Sequence, residues 1–535
     1  MASVALPILT AIVVAFLSPA AGLCQKFLPD DPIQVMPPPV PVTKARDREI
    51  SQLYDFLQNS MNAERRPPVP AGAINTVGEV PDSAWFTNRN GRRRMSREEL
   101  QRGAGTDKAP VPPFKIVSGK TAGAQPGFQM EDANDRLYFV KLDPLRHPEM
   151  ASGSDVIVSK FMYAIGYNTA ENYLVQAKLS DFRLSDQAEI ETSEFRSRKM
   201  TWGDVRDIIN ESPLYSDGSV RLMASLAAEG EPIGPFRFEG TRRDDPNDIV
   251  PHENRRDLRG LFVFAAWLNH TDAKAGNTID TIVEMNGVPF IRHYLIDFGS
   301  ALGSDGYMPK DPRFGHEYIF PDGSDVLKRV VTLGLVPAPW ERADFPDLAA
   351  VGNFESAIFE PEKWKSNYPN PAFLSRQPDD EFWAAKIVMS FTDDDIRAIV
   401  ETGCFRNPKV TDYITATLGD RQNKIGRTYF SKVLPLDGFR IQNDELQFDD
   451  LAVKYGFRAP NQYMFRWFSL DNITQQYKTV TSSTSARLPD EFARGSAEMY
   501  FSAVIYAPAD EQKCVTVTLR KTANGYEVVG VERAW

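Results

Sequence analysis

Short apolar runs separated by turn residues predict a small sheet near residue 115. Phe114–Ser118, Phe128–Met130 and Leu137–Lys141 are rich in β-branched and aromatic residues, a composition typical of strands. Gly119–Gly127 and Asn134-Asp135 lie between these runs and supply the glycine, asparagine and aspartate of turns. We therefore predict three consecutive strands joined by two turns.

Helical spacing of apolar residues predicts two long helices, the first from about Pro148 to Gly166 and the second over Arg255–Asn269. Gly166 is the kind of residue that ends a helix. The two apolar faces consist of Val156, Ile157, Phe161 and Ala164 in the first helix and of Leu258, Leu261, Phe262, Ala265 and Leu268 in the second.

Two further strands are predicted after the second helix. Thr281–Met285 and Val288–Leu295 have strand composition, and Asn286-Gly287 between them is the strongest short hairpin signal. Because a hairpin folds the chain back on itself, residues just after it are expected to lie beside residues just before it.

Changes in pattern divide the chain into five predicted parts and predict an α+β fold. The last part is recognised by strands at Met499–Tyr506, Cys514–Leu519 and Tyr526–Val531, which predict a small β domain for binding or packing. The predicted parts are a signal peptide (1–23), a Pro-rich linker and N-terminal extension (24–110), a β-rich lobe with an insertion (111–250), a helical lobe (251–435) and the β domain (436–535).

Val4–Leu23 is the only long apolar run, and it ends in the small residues Ser18–Gly22 before a polar, Pro-rich stretch. This pattern is typical of a cleaved secretory signal. We therefore predict an exported protein, periplasmic or secreted, with no transmembrane anchor in the mature chain. Leu23 precedes Cys24 where lipoprotein signals carry a small residue, so lipidation is not expected.

Composition excludes some classes of function. The 535 residues carry a net charge of −11, which argues against a broad nucleic-acid-binding surface. Cys404 and Cys514 are the only cysteines after Cys24, and their spacing gives no evidence for a disulfide. A metal-dependent hydrolase is an open alternative without an H-x-H or H-E-x-x-H spacing to support it, and its candidate ligands are His252, His270, His293 and His316.

Two polar motifs lie on either side of the predicted hairpin. His270–Asn277 has the pattern His-x-Asp-x-Lys-x-x-Asn, and Ile296–Gly299 contains Asp-Phe-Gly. In this order they resemble the catalytic loop and the metal-binding loop of a protein kinase. By this resemblance, the hydroxyl-orienting base, the phosphate-neutralising ammonium and the two metal ligands are Asp272, Lys274, Asn277 and Asp297, in that order.

The resemblance also requires a lysine that pairs with phosphates, together with an acidic partner. Lys141 ends an apolar strand in Tyr-Phe-Val-Lys, much as the kinase lysine ends Val-Ala-Ile-Lys, although such a lysine can also extend to solvent. Asp155 and Glu149 are the candidate partners. We prefer Asp155 because it lies well inside the predicted helix, whereas Glu149 in the first turn suits the helix dipole.

Gly119, Gly123 and Gly127 would allow backbone N–H groups to approach phosphate oxygens without obstruction from side chains. Their spacing departs from that of the usual kinase glycine loop. A plain β-turn explains the same residues, so both interpretations stay open.

These matches resemble the atypical kinase-like families, namely HipA-like, CotH-like and secretory-pathway kinases. The resemblance implies a bilobal fold with a β-rich N-lobe and a helical C-lobe, with ATP and Mg²⁺ (or Mn²⁺) as cofactors. It leaves open a protein or small-molecule acceptor. Thr271 stands where the usual catalytic-loop arginine would be, and no Ala-Pro-Glu follows Asp297. Control by phosphorylation of an activation loop is therefore not expected.

The sequence leaves three functions open. The first is phosphoryl transfer from Mg-ATP to an unknown acceptor, and transfer of AMP would use the same cleft. The second is a catalytically silent kinase fold that acts as a binding protein of the cell envelope. The third is the metal-dependent hydrolase.

Overall fold

The computed structural model describes residues 25–61, 67–120, 127–191, 197–320, 331 and 337–535. The predicted signal peptide, Cys24 and Gly123 lie outside these residues and stay predictions. Among the described residues no helix has the length and apolar character needed to cross a membrane. Cys404 and Cys514 are both free thiols.

The described ranges contain a helix at each of the two positions where a long helix was predicted, Met150–Ile165 and Arg256–Trp267. The bounds are α1 (Gln52–Met61), α2 (Arg97–Arg102), α3 (Met150–Ile165), α4 (Trp202–Asn210), α5 (Arg256–Trp267), α6 (Pro371–Leu374), α7 (Pro378–Val388), α8 (Asp393–Val400), α9 (Pro408–Phe430), α10 (Leu451–Lys454) and α11 (Asp490–Arg494).

Within the described residues the strands group into four sheets. Their bounds are β1 (Phe114–Lys120), β2 (Gly127–Glu131), β3 (Leu137–Leu142), β4 (Asn168–Thr169), β5 (Asn172–Ala177), β6 (Phe182–Glu191), β7 (Ser197–Lys199), β8 (Val220–Leu226), β9 (Glu231–Pro232), β10 (Thr278–Met285), β11 (Val288–Leu295), β12 (Leu436–Gln442), β13 (Glu445–Asp450), β14 (Met464–Leu470), β15 (Tyr477–Ser483), β16 (Tyr500–Ala507), β17 (Asp510–Thr522) and β18 (Gly525–Ala534).

A seven-stranded sheet with the order β5-β8-β3-β2-β1-β6-β7 forms the β-rich lobe. β1, β2 and β3 pair antiparallel in sequence order, and β8 pairs with the far side of β3. β6, β7 and β8 come from residues 180–250, the stretch predicted to hold an insertion, and all three belong to this sheet. β1 and β6 run parallel, a pairing of distant segments that local patterns do not predict.

A smaller sheet, β4-β11-β10-β9, lies within the helical lobe and contains the predicted hairpin of β10 and β11. The largest hydrophobic core cluster combines the buried faces of α3, α5, α7, α8 and α9. It includes Trp85 and Phe86 of the N-terminal extension, which pack against the helical lobe. A separate hydrophobic cluster consists mostly of buried side chains of the seven-stranded sheet.

Residues 436–535 contain strands β12 to β18. β14 to β18 make a five-stranded antiparallel sheet with the order β15-β14-β16-β17-β18, beside the two-stranded pair β12-β13. The sheet has its own hydrophobic cluster around Trp467 and Phe492.

Candidate active site

The β10-β11 hairpin brings the two predicted motifs together. Its turn residues Asn286 and Gly287 have φ angles of 52° and 79°, the left-handed backbone that a two-residue type I′ turn requires. Register is kept along the whole hairpin, from Met285 opposite Val288 to Thr278 opposite Leu295. At the open end the Ile296 N–H donates to the carbonyl of Asn277 over 3.0 Å. Asp297, the residue after Ile296, therefore lies beside the loop that carries Asn277.

Lys141 joins the two lobes. It lies near the end of β3, and its Nζ is 2.9 Å from Asp155 Oδ2 on α3 and 2.6 Å from Asp297 Oδ1. The Asp155 Oδ1 atom accepts hydrogen bonds from Asn172 Nδ2 over 2.9 Å and from the Phe298 N–H over 3.3 Å. One buried carboxylate thus holds both the lysine and the Asp-Phe-Gly segment.

The alternative partner, Glu149, lies outside the site. It is the N-cap residue of α3, where its φ is 68°, and its carboxylate binds Arg406, with Oε1 2.5 Å from Nε. The geometry therefore pairs Lys141 with Asp155, as the sequence favoured.

Electrostatics favour the charged forms of Lys141 and Asp297. Burial alone would lower the pKa of Lys141, but the Asp155 and Asp297 carboxylates outweigh it, and the pKa is raised above its usual value. The Lys141 ammonium holds the pKa of Asp297 below its usual range. Burial raises the pKa of Asp155, and Lys141 opposes that effect. The Asp297 side chain is 49% exposed, so it can reach a ligand.

Asp272 lies in a cage of hydrogen-bond donors. The Asn277 Nδ2 donates to the Asp272 carbonyl and to Oδ2, both over 2.9 Å. Lys274 Nζ is 3.0 Å from Oδ2, and Asn367 Nδ2 donates to Oδ1 over 2.9 Å. The motif thus places Asp272, Lys274 and Asn277 in direct contact with one another.

Asn277 and Asp297 are suited to Mg²⁺. Because the amide nitrogen of Asn277 is bonded to Asp272, its oxygen Oδ1 is the atom left for a cation. Mg²⁺ prefers one or two protein oxygens, with phosphates and water completing its shell. Asn277 and Asp297 fit this requirement, and Mg²⁺ bound there would neutralise phosphate charge.

The glycine prediction was partly wrong. Gly119 and Gly127 are strand residues and not turn residues, since Gly119 pairs with Phe128 and Lys120 pairs with Gly127 across β1 and β2. Gly127 also lies opposite Lys141 in the next pair of strands. A Cβ there would come within 2.2 Å of the Val140 carbonyl oxygen, so close approach of the neighbouring strand requires glycine. The phosphate-binding role of Gly119, Gly123 and Gly127 stays a prediction.

Three elements of the site were missed by sequence reasoning. Asn367 is 95 residues from Asp272, and Lys310 reaches the catalytic loop from 39 residues away. α1 of the N-terminal extension also borders the site, because Tyr368 donates a hydrogen bond to Asp55 over 2.7 Å. No local pattern marks these residues, since each acts through a contact between distant segments.

A cavity of about 890 Å³ lies next to the start of the catalytic loop, and its lining includes Asn269, Trp364 and Ser366. Trp364 Nε1 donates to Asn269 Oδ1 over 3.0 Å, which fixes one wall. Lys141 and Asp297, whose ammonium and carboxylate are in contact, do not line this cavity.

The histidines proposed for a hydrolase form no metal site. His252 and His293 bind Asp248 and Asp280 over 2.8 and 2.7 Å, and the Trp85 ring stacks on His293 at 3.5 Å. Within the described ranges no group of three or more His, Cys, Asp or Glu side chains could hold a metal ion.

The chain has a bilobal, protein-kinase-like fold of the α+β class. A sheet-bearing lobe supplies the lysine and α3 its acidic partner, and the helical lobe supplies both polar loops on either side of a hairpin. This is the order of parts in a kinase.

No family model matches the chain, and no curated protein matches it. Among solved structures, the Helicobacter pylori proinflammatory kinase CtkA gives a TM-score of 0.31 at 14% identity, over 59% of this chain and 97% of that one. The Golgi casein kinase gives 0.29 at 10% identity, over 76% and 96%. Its structure with Mn/ADP bound gives 0.25 at 11% identity, over 62% and 74%. Since these TM-scores are low, the fold assignment rests on this chain's own geometry.

Proposed function

We propose that the protein is an atypical kinase-like phosphotransferase that moves the γ-phosphoryl group of Mg-ATP to a protein or small-molecule acceptor. The observation that carries the proposal is the contact of Lys141 with both Asp155 and Asp297, beside an Asp272 caged by Asn277 and Lys274. These are the residue types and positions that phosphoryl transfer needs.

Each residue has a defined task in this reaction. Lys141 binds the α- and β-phosphates, and Asn277 and Asp297 hold the cation. Asp272 accepts the hydrogen bond of the attacking hydroxyl and takes its proton. A bond forms between the acceptor oxygen and the γ-phosphorus as the bridging bond to ADP breaks, and Lys274 neutralises the charge of the moving group.

The first test is calorimetric titration of the mature chain with ATP, with and without Mg²⁺ or Mn²⁺. We expect binding that depends on the metal, and we expect Asp297→Ala to abolish it. Asp311→Ala removes an exposed carboxylate of the same chain region and serves as the control. Metal-dependent binding by Asp297→Ala equal to that of the wild type would refute the assignment of the metal site.

A second variant separates catalysis from binding. Asp272→Asn keeps the shape of the side chain but cannot take a proton, so turnover of ATP should fall about 100-fold or more while nucleotide binding persists. Release of ADP indicates phosphoryl transfer, and release of pyrophosphate indicates transfer of AMP. If Asp272→Asn retains full biological activity, the protein is a catalytically silent binding protein instead.

A further inference from the structure

Lys310 is a buried cation that the sequence motifs do not include. It follows Asp297 by thirteen positions, and only 2% of its surface is exposed. Its Nζ donates to Thr271 Oγ1 over 2.9 Å and to the Ser300 carbonyl over 3.3 Å, and it lies 3.6 Å from Asp305 Oδ1. A buried ammonium persists only where such partners offset its lost hydration.

The backbone holds Lys310 in place. The Lys310 N–H donates to the Gly303 carbonyl over 2.8 Å, and Ser304 and Pro309 form an isolated bridge beside it. The Asn353 side chain donates to the Lys310 carbonyl over 2.7 Å. The loop from 303 to 310 is therefore closed on itself and presents the ammonium inward.

The contacts of Lys310 connect the two catalytic loops. Thr271 lies directly before Asp272, and its carbonyl accepts the N–H of Asn367, the residue whose side chain holds the Asp272 carboxylate. Ser300 lies directly after the Asp-Phe-Gly segment that carries Asp297. One ammonium thus spans the segments that place Asp272 and Asp297.

Ordinary kinases make this connection with a different arrangement. A catalytic-loop arginine pairs with a phosphate that is added to the activation segment, so the segment becomes ordered only after modification. Here Thr271 occupies the arginine position, and the cation comes from the segment itself. The connection in this chain therefore needs no phosphate.

We propose that Lys310 is a positioning residue that aligns Asp272 with Asp297, and that it assembles the site in the unphosphorylated chain. This inference rests on the proposed phosphotransferase function. A positioning role predicts loss of turnover with nucleotide binding retained. The contacts of Lys310 are with Thr271, Ser300 and Asp305 and not with Lys141 or with the metal ligands Asn277 and Asp297.

The test compares Lys310→Met, Lys310→Arg and Thr271→Val in the full mature chain. Thr271→Val removes the hydroxyl acceptor at nearly constant volume, so it carries the test if Lys310→Met fails to fold. Lys363→Met removes a lysine whose side chain is 74% exposed and is the matched control. The readouts are the Kd of Mg-ATP by calorimetry and kcat and KM for ADP release, with water as acceptor.

We expect Lys310→Met and Thr271→Val to lower kcat at least about tenfold, with Kd and KM within about threefold of wild type, and Lys310→Arg to restore part of kcat. Phosphatase treatment of the wild type should leave kcat unchanged. Unchanged kcat in both variants, equal loss of binding and turnover, or inactivation by phosphatase would each overturn the inference. If the wild type binds no Mg-ATP, the proposed function itself fails, and this result is distinguishable from the others.

Discussion

His270, the first residue of the catalytic-loop motif, lies in the interior as a neutral side chain. It is 3% exposed, its ring centroid is 5.4 Å from that of Phe298, and its Nδ1 has no hydrogen-bond partner. Burial lowers its pKa to about 4. The folded protein therefore binds this proton less readily than the unfolded chain, whose histidine pKa is about 6.5.

This difference predicts that the protein becomes less stable as the pH is lowered. Between pH 6.5 and 4 the unfolded chain binds a proton that the folded protein does not, so the free energy of unfolding decreases as pH falls, by about 3 kcal/mol in total. His270→Asn cannot titrate and should lose less stability over this window. Urea unfolding of wild type and variant at pH 7 and at pH 4.5 measures the difference. Equal losses in both proteins would contradict the assignment.

At this scale, sequence predicted the residues that lie within one motif. Asp272, Lys274 and Asn277 are close in the chain, and the strong hairpin signal explains why Asp297 returns to them. Asn367 and Lys310 could not be predicted, because their contacts with the catalytic loop depend on tertiary packing across 95 and 39 residues.

The β10-β11 hairpin is the element that places Asp297. Its turn depends on positive φ angles at Asn286 and Gly287. A Cβ at Gly287 would meet nothing within 4 Å, so any cost of adding one comes from the backbone alone. The left-handed conformation costs an L-residue roughly 1–2 kcal/mol.

We therefore predict that Gly287→Ala lowers the free energy of unfolding by about 1 kcal/mol. Asn286→Gly keeps the positive φ accessible and should change stability by no more than about 0.5 kcal/mol. Chemical denaturation of the three proteins tests both expectations. If the Gly287→Ala protein is as stable as the wild type, the turn has relaxed to another type.

The positions of helices and strands along the chain were predicted better than the contacts between them. Strands β1 to β3, β10 and β11 form where composition and turn residues placed them, and α3 and α5 where apolar periodicity did, with shifts of a few residues at their ends. The helix expected to have one apolar face, α3, is instead buried on nearly every side. The reason is that both lobes and the N-terminal extension pack around it, which no single-segment pattern shows.

Across the whole molecule, buried charges connect parts that are far apart in the chain. Lys386 of α7 contacts Glu79 of the N-terminal extension and lies 3.0 Å from Asp437 Oδ2 at the start of the C-terminal sheets. The Val531 N–H donates to the Thr76 carbonyl over 2.9 Å, and Arg520 donates to the carbonyls of residues 28 and 29. The C-terminal sheet therefore packs on the extension as well as on the helical lobe.

Lys386 thus offers a test of how strongly these parts are coupled. Its ammonium is mostly buried, with 16% of the side chain exposed, and the Asp437 and Glu79 carboxylates outweigh burial to raise its pKa. Lys386→Met removes the cation that both carboxylates share and leaves Asp437 with Arg533, whose Nη2 is 3.5 Å from Oδ1, so the free energy of unfolding should fall by about 3 kcal/mol. Lys363→Met breaks an exposed pair with Glu360 and should cost at most about 1 kcal/mol. If Lys386→Met instead costs no more than the control, or if the C-terminal sheet alone melts early, the three parts are not coupled through this lysine.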